Sequence, residues 1–215
     1  NNTAASLSVL RNTSTPGTIT SSSFAAKVDF TTGTEPRGSL IADIDGDGKP
    51  EVSVANNVSN TISIFRNTST SGTITLSAKV DFTAGTGPYW LAAGDVDGDG
   101  KLDLFTGNGT SNTLSAFHNT STSGTIDGST LAAKVDFAVD AGSRGVAVGD
   151  LDGDKKADVV VTNKTAATLS VFHNIADPPT ITSLSTTSAK PGDSITITGT
   201  NFYSVHTNNT VFIGG

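Results

Sequence analysis

The chain has 215 residues, 35% of them hydrophobic and 6% aromatic, with neither Cys nor Met and a formal net charge of −7. That length suits one or two domains. The absent cysteines exclude disulfides, thiolate metal sites and a cysteine nucleophile, and the acidic balance, with no basic stripe, argues against a nucleic-acid partner. No run of 18 apolar residues is present to insert into a membrane. No signal peptide is visible, and the opening reads as the middle of a pattern, so an excised or mature segment is expected. Abundant Ser, Thr, Asn and Gly favour turns and short strands over helices.

The first stretch, NNTAASLSVLRN (1–12), returns as NNVSNTISIFRN (56–67), NGTSNTLSAFHN (108–119) and NKTAATLSVFHN (163–174). KVDF recurs at 27–30, 79–82 and 134–137, and an aspartate cluster recurs as DIDGDGKPE from Asp43, DVDGDGKLD from Asp95 and DLDGDKKAD from Asp150. Three markers on one period of 52–55 residues establish a repeat. Each unit contains strand patterns: 25–31, then 39–43 leading into the acidic loop, 51–55, 61–66 and 77–83. Val52 and Val54, Ile62 and Ile64, and Val80 and Phe82 alternate with polar residues, the period of a strand with one buried face. NTSTSGTI (67–74) reads as a turn-rich connector. Four strands per period of about 50 predict β-propeller blades. Solenoid coils are shorter, and a tandem of Ig-like sandwiches needs about 100 residues per unit. The expected fold is therefore all-β, a partial propeller of about three four-stranded blades over 1–177.

Within each acidic loop, carboxylates stand at positions 1, 3 and 5 (Asp43, Asp45, Asp47; Asp95, Asp97, Asp99; Asp150, Asp152, Asp154) and again at 9 (Glu51, Asp103, Asp158). Like charges so close repel unless a cation is shared. Position 6 is Gly48 or Gly100, suiting a turn with φ > 0. Position 7 (Lys49, Lys101, Lys156) can offer only its backbone carbonyl. Alternating oxygen ligands closed by a last carboxylate describe a hard-cation cage, with Ca²⁺ favoured over Mg²⁺ because it accepts 6–8 oxygens in variable geometry. An EF-hand is excluded: position 12 is Val54, Thr106 or Val161 rather than Glu, and the flanks read as strands. The competing reading is a solvated acidic turn, which three copies at one repeat position disfavour. The loops hold 12 of the 20 acidic residues, so about three Ca²⁺ would bring the net charge near −1.

The motif GDVDGDGKLDLFTGN…NTLSAFHN, three times over roughly 1–175, resembles the FG-GAP/VCBS family of integrin-α-like propellers and bacterial surface proteins. The resemblance implies calcium-loaded blades, with the side chains above and the carbonyls of Lys49, Lys101 and Lys156 as ligands. Two positions depart from the pattern: Lys155 stands where Gly is expected, and Glu51 where Asp is expected. After Asp177-Pro178-Pro179, read as a linker, TITSLSTTSAKPGDSITITGTNFY is similar to the start of an IPT/TIG domain, an Ig-like sandwich. The matching features are the Pro191-Gly192 turn, the SITITG strand and the GTNF turn. Residues 178–215 are thus expected to form the first part of such a sandwich, incomplete at VFIGG.

Arg11, Arg66, His118 and His173 share one repeat position and read as solvated strand-end residues; His206 falls in a polar turn. No nucleophile–base pairing is evident, so no catalytic residue is expected. Paired carboxylates could serve a glycosidase, but the metal reading accounts for them. Before each first strand the repeat aligns Arg37, Tyr89 and Arg144, followed by Gly38, Trp90 and Gly145. The resemblance places these loops opposite the calcium loops, where aromatics beside Arg would suit a sugar or a partner peptide. The competing expectation is that Trp90 packs between blades, since large aromatics are mostly buried. Asn12-Thr13-Ser14, Asn67-Thr68-Ser69 and Asn119-Thr120-Ser121 are sequons that would accept glycans in a eukaryotic secretory pathway; in a bacterial protein they read as side-chain-capped turns. The function expected is that of an extracellular or cell-surface segment for adhesion or for glycan or protein binding. The alternatives are a non-catalytic part of a secreted polysaccharide-degrading enzyme and a spacer. An arc of three blades is expected to stay open, so that it needs the remaining blades as partners or self-associates.

Overall fold

Period-two patterning is realised as short antiparallel strands, with no helix among the described residues. The computed structural model describes residues 1–175, 180–186, 188, 190, 192 and 194–201. The chain divides into two compact units, Asn1–Asn174 and Ile175–Gly215.

In the first unit, β1 (Ser6–Val9) pairs with β2 (Val28–Thr31). Then β3 (Pro36–Ala42), β4 (Glu51–Asn56), β5 (Thr61–Phe65) and β6 (Val80–Thr83) form a four-stranded sheet in chain order. A second such sheet contains β7 (Pro88–Gly94), β8 (Asp103–Asn108), β9 (Thr113–Phe117) and β10 (Val135–Ala138). A three-stranded sheet follows from β11 (Ser143–Gly149), β12 (Asp158–Asn163) and β13 (Thr168–Phe172). The blades expected from the sequence are thus complete in the two middle sheets, while the flanking sheets have two and three strands. The first strand of each unit starts earlier than the expected residue 39, because a bulge lets the chain rejoin the ladder. The register shifts between Pro36 and Ser39, and equivalently between Pro88 and Leu91 and between Ser143 and Val146. The fourth strands are shorter than expected, since the Ser77 N–H bonds the Arg66 carbonyl at 2.9 Å outside the ladder.

The sheets pack face to face. Ile62, Ile64 and Phe82 meet Leu91, Leu104 and Phe117 of the next sheet, and Phe105 and Leu114 meet Val159 and Val161 of the one after. Leu7 and Phe30 of the first pair cover Val52, Val54 and Phe65. Burying each such side chain stabilises by roughly 1.5–3 kcal/mol. Buried Asn56, Asn108 and Asn163 close the hairpins: the Asn56 amide donates to Thr61 Oγ1 (3.0 Å) and Ser63 Oγ (2.8 Å), and the other two repeat the arrangement. The outer face of β11–β13 differs. Leu169 and Val171 are 64% and 58% exposed, although Leu114, the equivalent of Leu169, is buried. Among the described residues no strand pairs with the free edge of β13 and no ring closes.

In the second unit β14 (Thr180–Leu184) pairs with β15 (Ile197–Thr200), which carries the end of the SITITG pattern. Gly192 has φ +97°, as a turn there requires. Asp177, Pro178, Pro179, Pro191, Phe202, His206 and the VFIGG end lie outside the described residues.

Candidate metal centres

Each acidic loop leaves the inner strand of its sheet at Ala42, Gly94 or Gly149 and returns at the start of the next strand. Side-chain-to-backbone hydrogen bonds wind it. Asp45, Asp97 and Asp152 accept from the N–H two residues on, at 3.1, 3.1 and 3.0 Å. Asp47, Asp99 and Asp154 do the same from Lys49, Lys101 and Lys156, at 2.9, 2.8 and 2.9 Å. Asp43, Asp95 and Asp150 reach across the turn to the N–H of residue 48, 100 or 155, at 3.0, 2.9 and 2.9 Å. That crossing needs a left-handed residue: Gly48 has φ +85°, Gly100 +87°, and Lys155 is held at +71° despite its Cβ.

The position-9 carboxylates are buried and fasten the loop to the strand ends. Glu51 accepts from the N–H groups of Ile44 (2.9 Å) and Asn67 (3.2 Å), Asp103 from Val96 (3.2 Å) and Asn119 (3.0 Å), and Asp158 from Leu151 (2.9 Å) and Asn174 (2.8 Å). Burial raises the pKa of Glu51 and pushes that of Asp103 up to about 6. The backbone N–H groups of Asn174 and Leu151 instead lower that of Asp158, which lies in the end sheet.

The fold brings three side chains of each predicted set together, leaving Asp47, Asp103 and Asp154 outside these groups; Asp103 instead clusters with Asp97 and His118, and Asp154 with Asp152 and His173. Oxygens of Asp43, Asp45 and Glu51 lie within 4.8 Å of one another, as do those of Asp95, Asp97 and Asp99 and those of Asp150, Asp152 and Asp158. Asp43 Oδ1 is buried without a hydrogen-bond partner, which fits a carboxylate oxygen kept for a cation. A hard divalent ion would relieve the mutual repulsion of these clustered carboxylates and the burial cost borne by Glu51 and Asp103.

The strand-end cations, read from the sequence as merely solvated, are corrected by the structure. Arg66 Nε donates to Asp45 Oδ2 at 3.1 Å and its Nη2 to Asp47 Oδ2 at 2.8 Å. His118 Nε2 lies 3.2 Å from Asp97 and 3.5 Å from Asp99, and His173 Nε2 lies 2.8 Å from Asp152. The hairpin registers bring each strand end over the preceding acidic loop. A position holding only Arg or His was the available signal. Sequence reasoning also missed a clamp between repeats: Asn119 Nδ2 and Ser121 Oγ donate to the Ile44 carbonyl (2.8 and 2.9 Å), Ser123 Oγ to that of Gly46 (3.1 Å), and Asn174 Nδ2 to that of Val96 (2.7 Å). The capped-turn reading holds, since Asn12, Asn67 and Asn119 accept from the N–H of Ser14, Ser69 and Ser121 at 2.8, 3.0 and 2.9 Å.

At the other end of the inner strands, the three bulges align Arg37, Tyr89 and Arg144. The Arg144 guanidinium carbon stands 4.1 Å from the Tyr89 ring centroid and that of Arg37 5.4 Å, while Arg37 also pairs with Glu35. Trp90 meets the expectation of packing between blades only in part: its Cα and ring edge lie against Gly38 of the neighbouring sheet, where a Cβ would come within 2.9 Å of the Trp90 Cα, and the residue is 50% exposed.

A stack of repeated antiparallel sheets, three of which end their first strand in an acidic loop, defines a class of repeat proteins built around acidic turns. The FG-GAP-like repeat model matches residues 43–106 and 95–161, and the chain belongs to that family. The IPT/TIG domain model matches 179–215. No curated protein matches the chain. Both are non-catalytic domain types typical of extracellular proteins, and no described helix is long and apolar enough to cross a membrane.

Proposed function

We propose that this chain is a calcium-stabilised segment of an extracellular or cell-surface protein and acts by binding a glycan or protein rather than by catalysis. The observation that carries the reading is the threefold recurrence of clustered carboxylates at one place in the fold, with an unpartnered oxygen of Asp43 among them. Asp43, Asp45, Asp47 and Glu51 would hold the first ion, Asp95, Asp97, Asp99 and Asp103 the second, and Asp150, Asp152, Asp154 and Asp158 the third. The carbonyls of Lys49, Lys101 and Lys156 complete the sets. Bound Ca²⁺ supplies the positive charge that the clustered carboxylates lack.

The chain's own groups do the remaining work. Backbone N–H groups orient the carboxylates before any ion arrives. The buried position-9 carboxylate ties the loop to two strand ends. The Asn119 and Asn174 amides tie the first and second loops to the following sheet, so that loop order becomes stack order. Calorimetric titration of the EDTA-stripped chain with Ca²⁺ tests the reading. Saturable binding that raises the melting midpoint is expected; no binding up to millimolar Ca²⁺ would refute it.

A further inference from the structure

The two ends of the inner strands differ in charge. The acidic loops crowd one end. The turns at the other end (32–38, 56–60, 84–90, 108–112, 139–145 and 163–167) carry Arg37, Arg144 and Lys164 against only Glu35 and Asp140. This end is therefore weakly cationic on a chain of net charge −7. The three bulges concentrate that charge, since a bulge re-aims the side chains it carries. Tyr89 receives a guanidinium from each neighbouring sheet. Stacking occupies the flat face of a guanidinium and leaves its in-plane N–H donors free for a planar, bidentate acceptor. Arg37 already has Glu35 as counter-ion. Arg144, among the described residues, stacks on Tyr89 and pairs with no carboxylate. Trp90, next to Tyr89 on β7, packs its ring edge against Gly38 and leaves half of its surface exposed.

We infer that the Arg37–Tyr89–Arg144 row and Trp90 form a binding site for a carboxylated oligosaccharide, with Arg144 taking the carboxylate and Trp90 stacking on the sugar face. The inference rests on the binding role proposed above and adds its ligand class. Charge complementarity selects an acidic ligand, because like charge at the acidic loops keeps such a chain at the cationic end. The turns at this end also carry small polar residues (Thr34, Ser59, Thr86, Thr110, Ser111, Thr165), and an exposed aromatic with such turns suits a sugar, which pairs stacking with many hydrogen bonds. A protein partner would need a broad apolar patch in addition.

Trp90 is the only Trp, so its fluorescence reports the site directly. The full chain in fixed millimolar Ca²⁺ is titrated with a galacturonic acid tetramer, a neutral galactose tetramer and a seven-residue glutamate peptide. The acidic sugar is expected to change the Trp90 emission saturably, the neutral sugar at least tenfold more weakly, and the peptide not at all. Arg144→Gln should weaken acidic-sugar binding at least tenfold, Arg144→Lys should restore little of it, and Arg37→Gln should weaken it less. Melting midpoints establish that each variant folds, and Arg37→Gln retains the test if Arg144→Gln does not. Equal binding of the neutral sugar, no response to either sugar, an effect of neither Arg variant, or binding of the peptide alone would overturn the inference. Melting with and without Ca²⁺ reads the calcium role separately. A calcium-dependent midpoint with no sugar binding defeats only this inference, and sugar binding with a calcium-independent midpoint defeats only the metal reading.

Discussion

The first and third acidic loops share one carboxylate spacing and differ in their cations. The first turns through Gly48 and lies under Arg66, whose two hydrogen bonds neutralise Asp45 and Asp47 from within. It is also clamped by Asn119, Ser121 and Ser123 of the next sheet. The third turns through Lys155 at φ +71°, lies beside His173, and has no following sheet among the described residues. One carboxylate spacing thus sits in two electrostatic settings, one with a guanidinium spanning Asp45 and Asp47 and one with His173 against Asp152 and Lys156 against Asp154. Spacing marks where a metal would bind; the neighbours would decide how much the loop needs it.

The widest test of this comparison is removal of the metal. At tenfold excess over Kd each site adds about 1.4 kcal/mol, so three sites add about 4 kcal/mol and raise the melting midpoint by roughly 10 °C. Scanning calorimetry in EDTA and in millimolar Ca²⁺ measures it, and an unchanged midpoint would dissolve the comparison.

The dependence on pH comes next. The folded pKa of Asp103 is about 6, above the ordinary 3.8, so the folded state holds its proton more tightly than the unfolded state. Without metal, Asp103 therefore costs stability as pH rises from about 4 to about 6, on the order of 2 kcal/mol. Asp158, whose pKa is lowered, has the opposite sign: its contribution is present above 3.8 and is lost as pH falls through its folded pKa. Urea melts in EDTA at pH 4.5 and 6.5 should show the loss, and Asp103→Asn should flatten it. In Ca²⁺ the trend should reverse, because the ion needs the carboxylate ionised.

Arg66→Ala sharpens the contrast between the loops. It leaves the buried Asp45 without its cation and should destabilise the metal-free protein by about 1–2 kcal/mol. Saturating Ca²⁺ should recover most of that loss, and calcium affinity at the first loop should rise. Loss of the same size in EDTA and in Ca²⁺ would show that Arg66 acts by packing alone.

The smallest effect is at the third loop. Lys155→Gly removes the cost of a Cβ in the left-handed region, about 1 kcal/mol, and one nearby ammonium. Because Lys155 already holds that conformation before an ion arrives, the gain should appear as about 1 kcal/mol of stability in urea melts in EDTA, with only a slight tightening of the third site from the lost ammonium. An unchanged stability would mean that the turn strain is relieved elsewhere.

The repeat, the strand positions, the acidic loops and the left-handed Lys155 were legible in the sequence, because they rest on local terms. Period-two alternation, turn chemistry and the φ a turn demands are all set within a few residues of chain. The complete middle sheets follow from the same pattern. The contacts of Arg66, His118 and His173 with the acidic loops were not legible, since hairpin register brings together residues about 20 apart in sequence. Nor was the hold of Asn119 and Ser121 on Ile44, which joins residues 75 and 77 apart across two sheets. Trp90 shows the same limit. Its size argued for burial, but only its ring edge packs, against Gly38 of the neighbouring sheet, and half of the residue stays exposed. Sequence by itself determined the repeating sheet and its oxygen-rich turn, because propensity, alternation and turn geometry act locally. Only the stacking of sheets decided which cation faces which loop and which aromatic faces solvent, because those outcomes depend on the space left between neighbouring backbones.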